Sequence, residues 1–235
     1  MSQATILGRI RSALAVDAND DEARRTAVAA RLAAPPAHPR PAFATLSNAA
    51  RDTRLLQSFA AQGTEAIEIE NLASLPETVA ALLRSLGPAP TLAIGDDEKF
   101  AALSWPRGLA PKPWSPDQTL GDGTAALSHA RAAVAETGTL VLASGAANPA
   151  SLAFLPELHI VAVDRATVVA AFEDAFGMLT ARYGTTRFPR SVNLISGPSR
   201  TGDIGGRIVK GAHGPRRLAV VLYGAAARPD PLRYY

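Results

Sequence analysis

The stretch VNLISGPSRTGDIGGRIVKGAHGPRRLAVVLY, residues 192–223, sets a glycine-rich polar segment between two apolar runs. Six of the nineteen residues from Gly197 to Pro215 are glycine. Glycine at this density is expected where the backbone turns with positive φ or approaches another group closely. Val192–Ile195 and Leu218–Tyr223 are strand-like, so the pattern predicts two buried strands of an α/β domain. They are joined by a polar segment, Ser196–Pro215, which we call the elbow.

Upstream of the elbow, segments typical of helices alternate with segments typical of strands. Amphipathic spacing predicts a helix over Asn48–Gln62 that stops at Gly63, and further helices over Ala130–Ala135 and Arg165–Tyr183. Short apolar runs predict buried strands, at 91–94, 124–127, 139–143 and 158–163. Strands separated by helices indicate an α/β fold with a mostly parallel, Rossmann-like sheet and helices on both faces.

The N-terminal region differs in pattern from the rest of the chain. Residues 1–34 contain two amphipathic segments, and the proline-rich PPAHPRPAF that follows is typical of an extended connector. We therefore predict an N-terminal helical arm at 1–34, a main α/β domain at 42–224 and a C-terminal tail at 225–235.

Composition excludes several classes of function. The 235 residues include no cysteine, which rules out disulfides, thiolate metal sites and a cysteine-held iron–sulfur cluster within this chain. The four histidines are far apart in sequence, so no metal site is predicted. No apolar run is long enough for a membrane span, and the N-terminus does not resemble a signal peptide, so a cytoplasmic location is expected.

Charge is unevenly distributed along the chain. Residues 182–235 carry ten Arg and Lys against two acidic residues, a net charge of +8, whereas the whole chain carries only +3. This bias indicates an anionic ligand or an acidic partner surface, or an ordinary solvated basic face. Nucleic acid is not predicted as a partner, because the arginines are dispersed and aromatic residues are not interleaved with them.

The elbow holds the residues best suited to an anion. Gly197, Ser199, Arg200 and Thr201 follow a strand, and Thr201 with Asp203 would start a helical turn with free N–H groups. Arg200 would clamp a carboxylate or phosphate, while Asp203 would cap the turn or orient Arg200.

Two further residues are candidates for acid–base chemistry. Glu136 could act as a general base or as a carboxylate nucleophile, or it could simply bond to backbone N–H groups at the entry to a strand. His213 could exchange protons with a ligand, or it could lock the turn in which it lies. Their neighbours complete the predicted ligand site, although the glycines among them could serve the backbone alone: Thr137, Gly138, Thr139, Gly211 and Gly214.

Four segments occur in an order that resembles the LUD-domain family, specifically its lactate utilisation protein C (LutC/YkgG) group. They are ETGT at Glu136–Thr139, LPxxHI at Leu155–Ile160, ISGPSRTGDI at Ile195–Ile204 and GAHGP at Gly211–Pro215. The resemblance implies a fold similar to the NagB/RpiA/CoA-transferase-like superfamily. It also implies a role in bacterial oxidation of L-lactate to pyruvate, alongside iron–sulfur partner proteins that are LutA- and LutB-like.

Three functions remain open at this point. In the first, the chain is a non-redox subunit of the lactate system, has no cofactor of its own, and binds lactate, pyruvate or an acidic partner face. In the second, it is an independent anion-binding enzyme of the sugar-phosphate isomerase or CoA-transferase type that uses Glu136. In the third, it is a structural interaction protein, and catalysis by the chain alone is not decided by the sequence.

Overall fold

The computed structural model describes residues 2–15, 20–34, 42–115, 118–184, 187–204 and 207–225, without the side chains of residues 42, 43, 203, 204 and 207. The chain divides into two compact units, residues 1–41 and 42–235. Two helices form the described part of the first unit, α1 (Gln3–Ala13) and α2 (Asp21–Ala33), and neither contains a buried residue. The predicted N-terminal helices are thus confirmed. No helix in the described ranges is both long and apolar enough to cross a membrane.

The described part of the second unit alternates helices with strands. Its helices are α3 (Asn48–Gln62), α4 (Leu75–Leu83), α5 (Glu98–Ala101) and α6 (Phe172–Tyr183). Its first six strands are β1 (Glu65–Ile69), β2 (Thr91–Ile94), β3 (Lys112–Pro113), β4 (Thr124–His129), β5 (Ala132–Val134) and β6 (Thr139–Ala143). The remaining strands are β7 (Leu158–Asp164), β8 (Val168–Val169), β9 (Val192–Ile195), β10 (Arg200–Ile204), β11 (Arg207–Lys210) and β12 (Arg217–Tyr223).

A parallel sheet of six strands forms the centre of this unit, in the order β1-β12-β7-β4-β2-β3. The mostly parallel sheet predicted from the sequence is confirmed. β7 and β12 are buried on both faces, which is why they are almost continuously apolar in sequence. One face packs against α4, and the other packs against α3 together with strands of a second sheet.

The second sheet has the order β8-β5-β6-β9 and mixes parallel with antiparallel pairs. β5 occupies residues where the sequence predicts a helix, so that prediction is wrong. Ala133 and Ala135 pack towards the parallel sheet, while Ala132 and Val134 pack towards α6. Successive residues therefore pack to opposite sides, as in a strand, but all of them are buried, so the sequence shows no alternation of apolar and polar residues.

The predicted long helix over Arg165–Tyr183 is also interrupted. Val168 and Val169 pair with Ala133 and Val134 in the second sheet, and α6 begins only at Phe172. β-Branched side chains suit a pleated strand, so tertiary pairing prevails over the helical spacing of the apolar residues.

The elbow connects the two sheets, because β9 lies at the edge of the second sheet and β12 lies within the parallel sheet. Since the elbow leads into the first residue of β12, it lies at the amino ends of the parallel strands. Tyr223 is the last residue of β12 and therefore lies at the carboxyl ends of the parallel strands. The seven residues of β12 span roughly 20 Å, which separates Tyr223 from the elbow.

Candidate functional site

The elbow folds as a β-hairpin and not as the predicted helical turn. Thr201 and Asp203 lie on β10, which pairs antiparallel with β11. The N–H of Ser199 donates to the carbonyl of Pro215 (2.9 Å), and the N–H of Gly211 donates to the carbonyl of Ser199 (3.0 Å). The amide of Ser199 is therefore used within the hairpin and is not free to bind an anion.

The ETGT turn and the start of the elbow meet at the end of α3. Thr139 Oγ1 lies 2.6 Å from Thr137 Oγ1 and 2.6 Å from Ser196 Oγ, which makes a chain of three hydroxyls. The side-chain amide of Gln62, the last residue of α3, donates to the carbonyl of Thr137. Gly138 has φ +63°, and a Cβ there would lie 2.8 Å from that of Ser58. These contacts fix the turn and the elbow relative to each other.

Arg200 interacts with the same helix end. Its Nη2 donates to the carbonyl of Gln62 at 2.5 Å, which satisfies one of the last carbonyls of α3. Gly63 ends α3 in the left-handed conformation (φ +73°), and a side chain there would collide with the Arg200 guanidinium. Arg200 therefore stabilises the helix terminus, whether or not its remaining nitrogens contact a ligand.

A cleft of about 280 Å³ opens between the elbow and the amino ends of β7 and β12; we call it the elbow cleft. It brings together five residues predicted as site residues: Gly197, Ser199, Arg200, His213 and Gly214. Phe154 and Leu194 give it apolar walls.

His159, to which the sequence assigned no role, also lines the elbow cleft and is completely buried. Its Nε2 lies 3.0 Å from Ser128 Oγ, but Nδ1 has no hydrogen-bond partner among the described residues. Burial lowers the pKa of His159 to about 3, so the ring is neutral near pH 7. A buried, unpartnered nitrogen is uncommon and suits a bound water or ligand.

The other predicted site residues do not line this cleft. Six of them lie outside it: Glu136, Thr137, Gly138, Thr139, Thr201 and Gly211. The side chain of Asp203 lies outside the described residues. Glu136 is held through its backbone, with its N–H bonded to the carbonyl of Ala170 and its own carbonyl bonded to Arg54.

The small, polar loop at Ser144–Ser151 packs away from the elbow. The N–H of Asp96 donates to the carbonyl of Ala146 at 2.9 Å, just after β2 ends. This loop therefore lies near the carboxyl ends of the parallel strands, whereas the elbow lies at their amino ends.

A second cleft, of about 230 Å³, lies at the carboxyl ends of these strands; we call it the carboxyl-end cleft. His129 and Tyr223, the last residues of β4 and β12, face it together with Asp164 from β7. It is also lined by three cationic side chains, Lys99, Arg131 and Arg182. This is where open α/β sheets ordinarily bind ligands.

A cluster of three buried side chains, Asp97, His129 and Tyr223, backs the carboxyl-end cleft. His129 Nε2 lies 2.8 Å from Tyr223 Oη, and His129 Nδ1 lies 3.6 Å from the carboxylate of Asp97. Burial alone would raise the pKa of Asp97, but His129 and the backbone N–H of Lys99 outweigh it and hold that pKa below its usual value. Burial, followed by the carboxylate of Asp164, raises the pKa of Tyr223.

Sequence reasoning missed this cluster, although one signal was present. His129 and Tyr223 end apolar strand-like runs, and Asp97 follows another within three residues. Polar residues immediately after buried strands of a parallel sheet tend to meet at one edge. No group of three or more His, Asp or Glu in the described ranges is arranged to hold a metal ion.

Residues 115–223 match the family model of the LUD domain. An uncharacterized protein of Neisseria meningitidis serogroup B is 38% identical over 98 residues, which is 41% of each chain. Lactate utilization protein C of Shouchella clausii is 34% identical over 89 residues, 38% of this chain and 39% of that protein. The matched region thus spans about two fifths of the length of these curated relatives.

A solved structure shows the same fold. The crystal structure of a DUF162 family protein from Deinococcus radiodurans superposes with a TM-score of 0.56 at 23% identity. The superposition covers 76% of this chain and 99% of that one. This superposition confirms the fold, and the sequence matches confirm the resemblance to the LUD-domain family predicted from the four segments.

Proposed function

We propose that this chain is a subunit of a bacterial system that oxidises L-lactate to pyruvate, since residues 115–223 match the family model of the LUD domain. The observation that carries the proposal is the set of matches to proteins named lactate utilization protein C. In this role the subunit has no redox group of its own, and electrons pass through iron–sulfur partner proteins in the cytoplasm. The lack of cysteine supports this division of labour, because thiolates are the usual ligands of such clusters.

The surface around the elbow supports a role in binding a partner. Three apolar side chains are exposed here, with 43%, 45% and 72% of their surface accessible in Phe154, Leu194 and Ile208. Two cations are also exposed, Arg200 six residues after Leu194 and Lys210 two residues after Ile208. Exposed apolar side chains combined with positive charge suit a partner surface that is acidic and partly apolar. We therefore assign the iron–sulfur partner to the elbow face, defined by these five residues.

Co-purification tests this assignment. A tagged wild-type chain expressed in its host should recover iron–sulfur subunits. The double variant Leu194→Asp, Ile208→Asp should recover at least about tenfold less, because a charge in an apolar interface costs more than about 1.4 kcal/mol. Phe176→Asp is the control, since Phe176 on α6 is about as exposed as Leu194 and lies outside the elbow face.

Two results would contradict the proposal. One is a wild-type preparation that recovers no iron–sulfur protein. The other is equal recovery by the double variant and the Phe176→Asp control, which would show that the elbow face takes no part in assembly.

A further inference from the structure

The outer edge of β9 differs from the edges of the other strands that end the two larger sheets, which are β1, β3 and β8. β1 carries the charged Glu65 and Glu68, β3 consists of Lys112 and Pro113, and β8 is two residues long. Charge, proline and short length are devices that keep a sheet edge from pairing with another chain. β9, with the sequence VNLI, has four residues and carries neither charge nor proline. Its edge is therefore suited to pairing with a further strand.

The ladder between β6 and β9 shows which backbone groups of β9 point outward. The N–H of Ser144, just after β6, donates to the carbonyl of Ser191, just before β9, at 3.0 Å. Bonding alternates along an antiparallel pair, so Asn193 also bonds towards β6, while Val192 and Leu194 point their N–H and C=O groups away from it. These four outward groups have no hydrogen-bond partner within the part of the chain that the structure describes.

The pattern of outward groups is self-complementary. When a second copy of β9 lies antiparallel with the two Asn193 residues opposite each other, Val192 of each copy faces Leu194 of the other. Each of these two pairs exchanges two N–H···O bonds, so every outward group on both strands is satisfied. A shift by two residues in either direction would leave half of these groups without a partner.

The side chains of β9 agree with this register. Val192 packs against the apolar cluster beneath α6, and Leu194, on the same face, is 45% exposed. In the symmetric pair, Leu194 lies beside Val192 of the other copy, which is a favourable apolar cross-strand contact. Arg190, the nearest charged residue to β9 in sequence, lies opposite Ser196 of the other copy, so like charges do not meet.

We propose that β9 pairs with β9 of a second copy of this chain, antiparallel and centred on Asn193. The four-stranded sheets of the two copies then form one sheet of eight strands. A twofold axis at Asn193 closes the assembly as a dimer, because both copies use the same edge. The pairing does not depend on the proposed role in lactate oxidation. Since Leu194 also belongs to the elbow face, an iron–sulfur partner bound there would lie next to the dimer interface.

Cysteine cross-linking tests the pairing and its register, since the chain contains no cysteine of its own. The two Asn193 Cα atoms should lie about 4.5 Å apart, a distance that a disulfide bridges. The two Leu194 Cα atoms are diagonal neighbours at roughly 7–8 Å, which is too far. Under mild oxidation Asn193→Cys should give a disulfide-linked dimer, and Leu194→Cys, the matched control, should not. Random collision would favour the opposite result, because Leu194 is the more exposed residue.

Sedimentation equilibrium of the full chain, without partner proteins, measures the dimer itself. The wild type should reach twice the mass of the chain. Leu194→Pro removes one outward N–H from each copy and leaves the bonds to β6 intact, and proline is tolerated in this orientation at a sheet edge. It should weaken the dimer at least about tenfold, because two hydrogen bonds are lost. Leu194→Ala, which keeps the N–H, should weaken it less.

The proposal is overturned if the wild-type chain is monomeric at every concentration, which would leave the edge of β9 to a strand of another protein. It is also overturned if Asn193→Cys cross-links no more readily than Leu194→Cys, or if Leu194→Pro and Leu194→Ala weaken the dimer equally. Cross-linking decides the matter even if the proline variant does not fold. Because the isolated chain is used, failure here and failure of co-purification are separate results.

Discussion

At His159, complete burial makes folding sensitive to pH. Its pKa is about 3 in the folded chain and about 6.5 when unfolded, so the unfolded state binds more protons between these values. The stability contributed by the neutral ring is therefore fully present above pH 6.5 and is lost as the pH falls towards 3.

The first prediction concerns this residue. Between pH 7 and pH 5 the free energy of unfolding should fall by about 2 kcal/mol on account of His159. Urea denaturation at the two pH values measures the fall. In His159→Gln, which does not titrate, the fall should be smaller by the same amount. An identical pH dependence in both proteins would show that His159 is not buried in a neutral form.

Among the elements of the fold, the ETGT turn and the elbow are joined by a chain of hydroxyl contacts. Thr139 is 2% exposed and bridges Thr137 and Ser196 through hydroxyl groups. The two segments are 57 residues apart in sequence at this bridge. The interaction energy between Thr139 and Ser196 therefore measures a tertiary contact and not a local one.

A double-mutant cycle measures that coupling. Thr139→Val and Ser196→Ala should each destabilise the protein by about 1 kcal/mol, and the double variant should lose about 1 kcal/mol less than the sum. Denaturant titrations of the four proteins supply the values. Strict additivity would mean that the hydroxyls do not interact in solution.

Elements were predictable from sequence where one face was clearly apolar. α3 ends at Gly63 as predicted, and β7 and β12 follow the apolar runs that identified them. β5 and β8 were missed because short apolar runs suit a strand or a buried helix equally well. These segments form strands because they pair with each other in the second sheet. That pairing cannot be read from the sequence.

Sites were predictable only in part, for a similar reason. Ser199 and His213 were expected together and line one cleft, since they lie in one continuous segment. His129 and Tyr223 are 94 residues apart and meet because β7 alone separates their strands in the sheet. Strand order is a property of the whole fold, so this pairing could not be derived from spacing.

At the scale of the whole molecule, Arg165 ties the sheet to the helix that covers it. Its side chain is 7% exposed and pairs with Asp52 on α3 at 2.8 Å and with Glu68 on β1. Removing one member of a buried ion pair leaves the other charge buried without a partner. This accounts for most of the loss in the free energy of unfolding.

Arg165→Met should therefore lower the free energy of unfolding by about 3 kcal/mol. Arg217→Met is the matched control, because Arg217 pairs with Glu65, which lies on β1 like Glu68. Both side chains of this second pair are more than one third exposed. In urea denaturation of both variants, the free energy of unfolding of the control should fall by less than about 1 kcal/mol. Equal losses in the two variants would indicate that Arg165 is solvated.

The role in lactate oxidation is tested most directly by growth of a strain in which this gene is deleted. We predict that the strain fails to grow on L-lactate as sole carbon source, grows normally on glucose, and recovers when the wild-type gene is restored. Undiminished growth of the deletion strain on L-lactate would contradict the account.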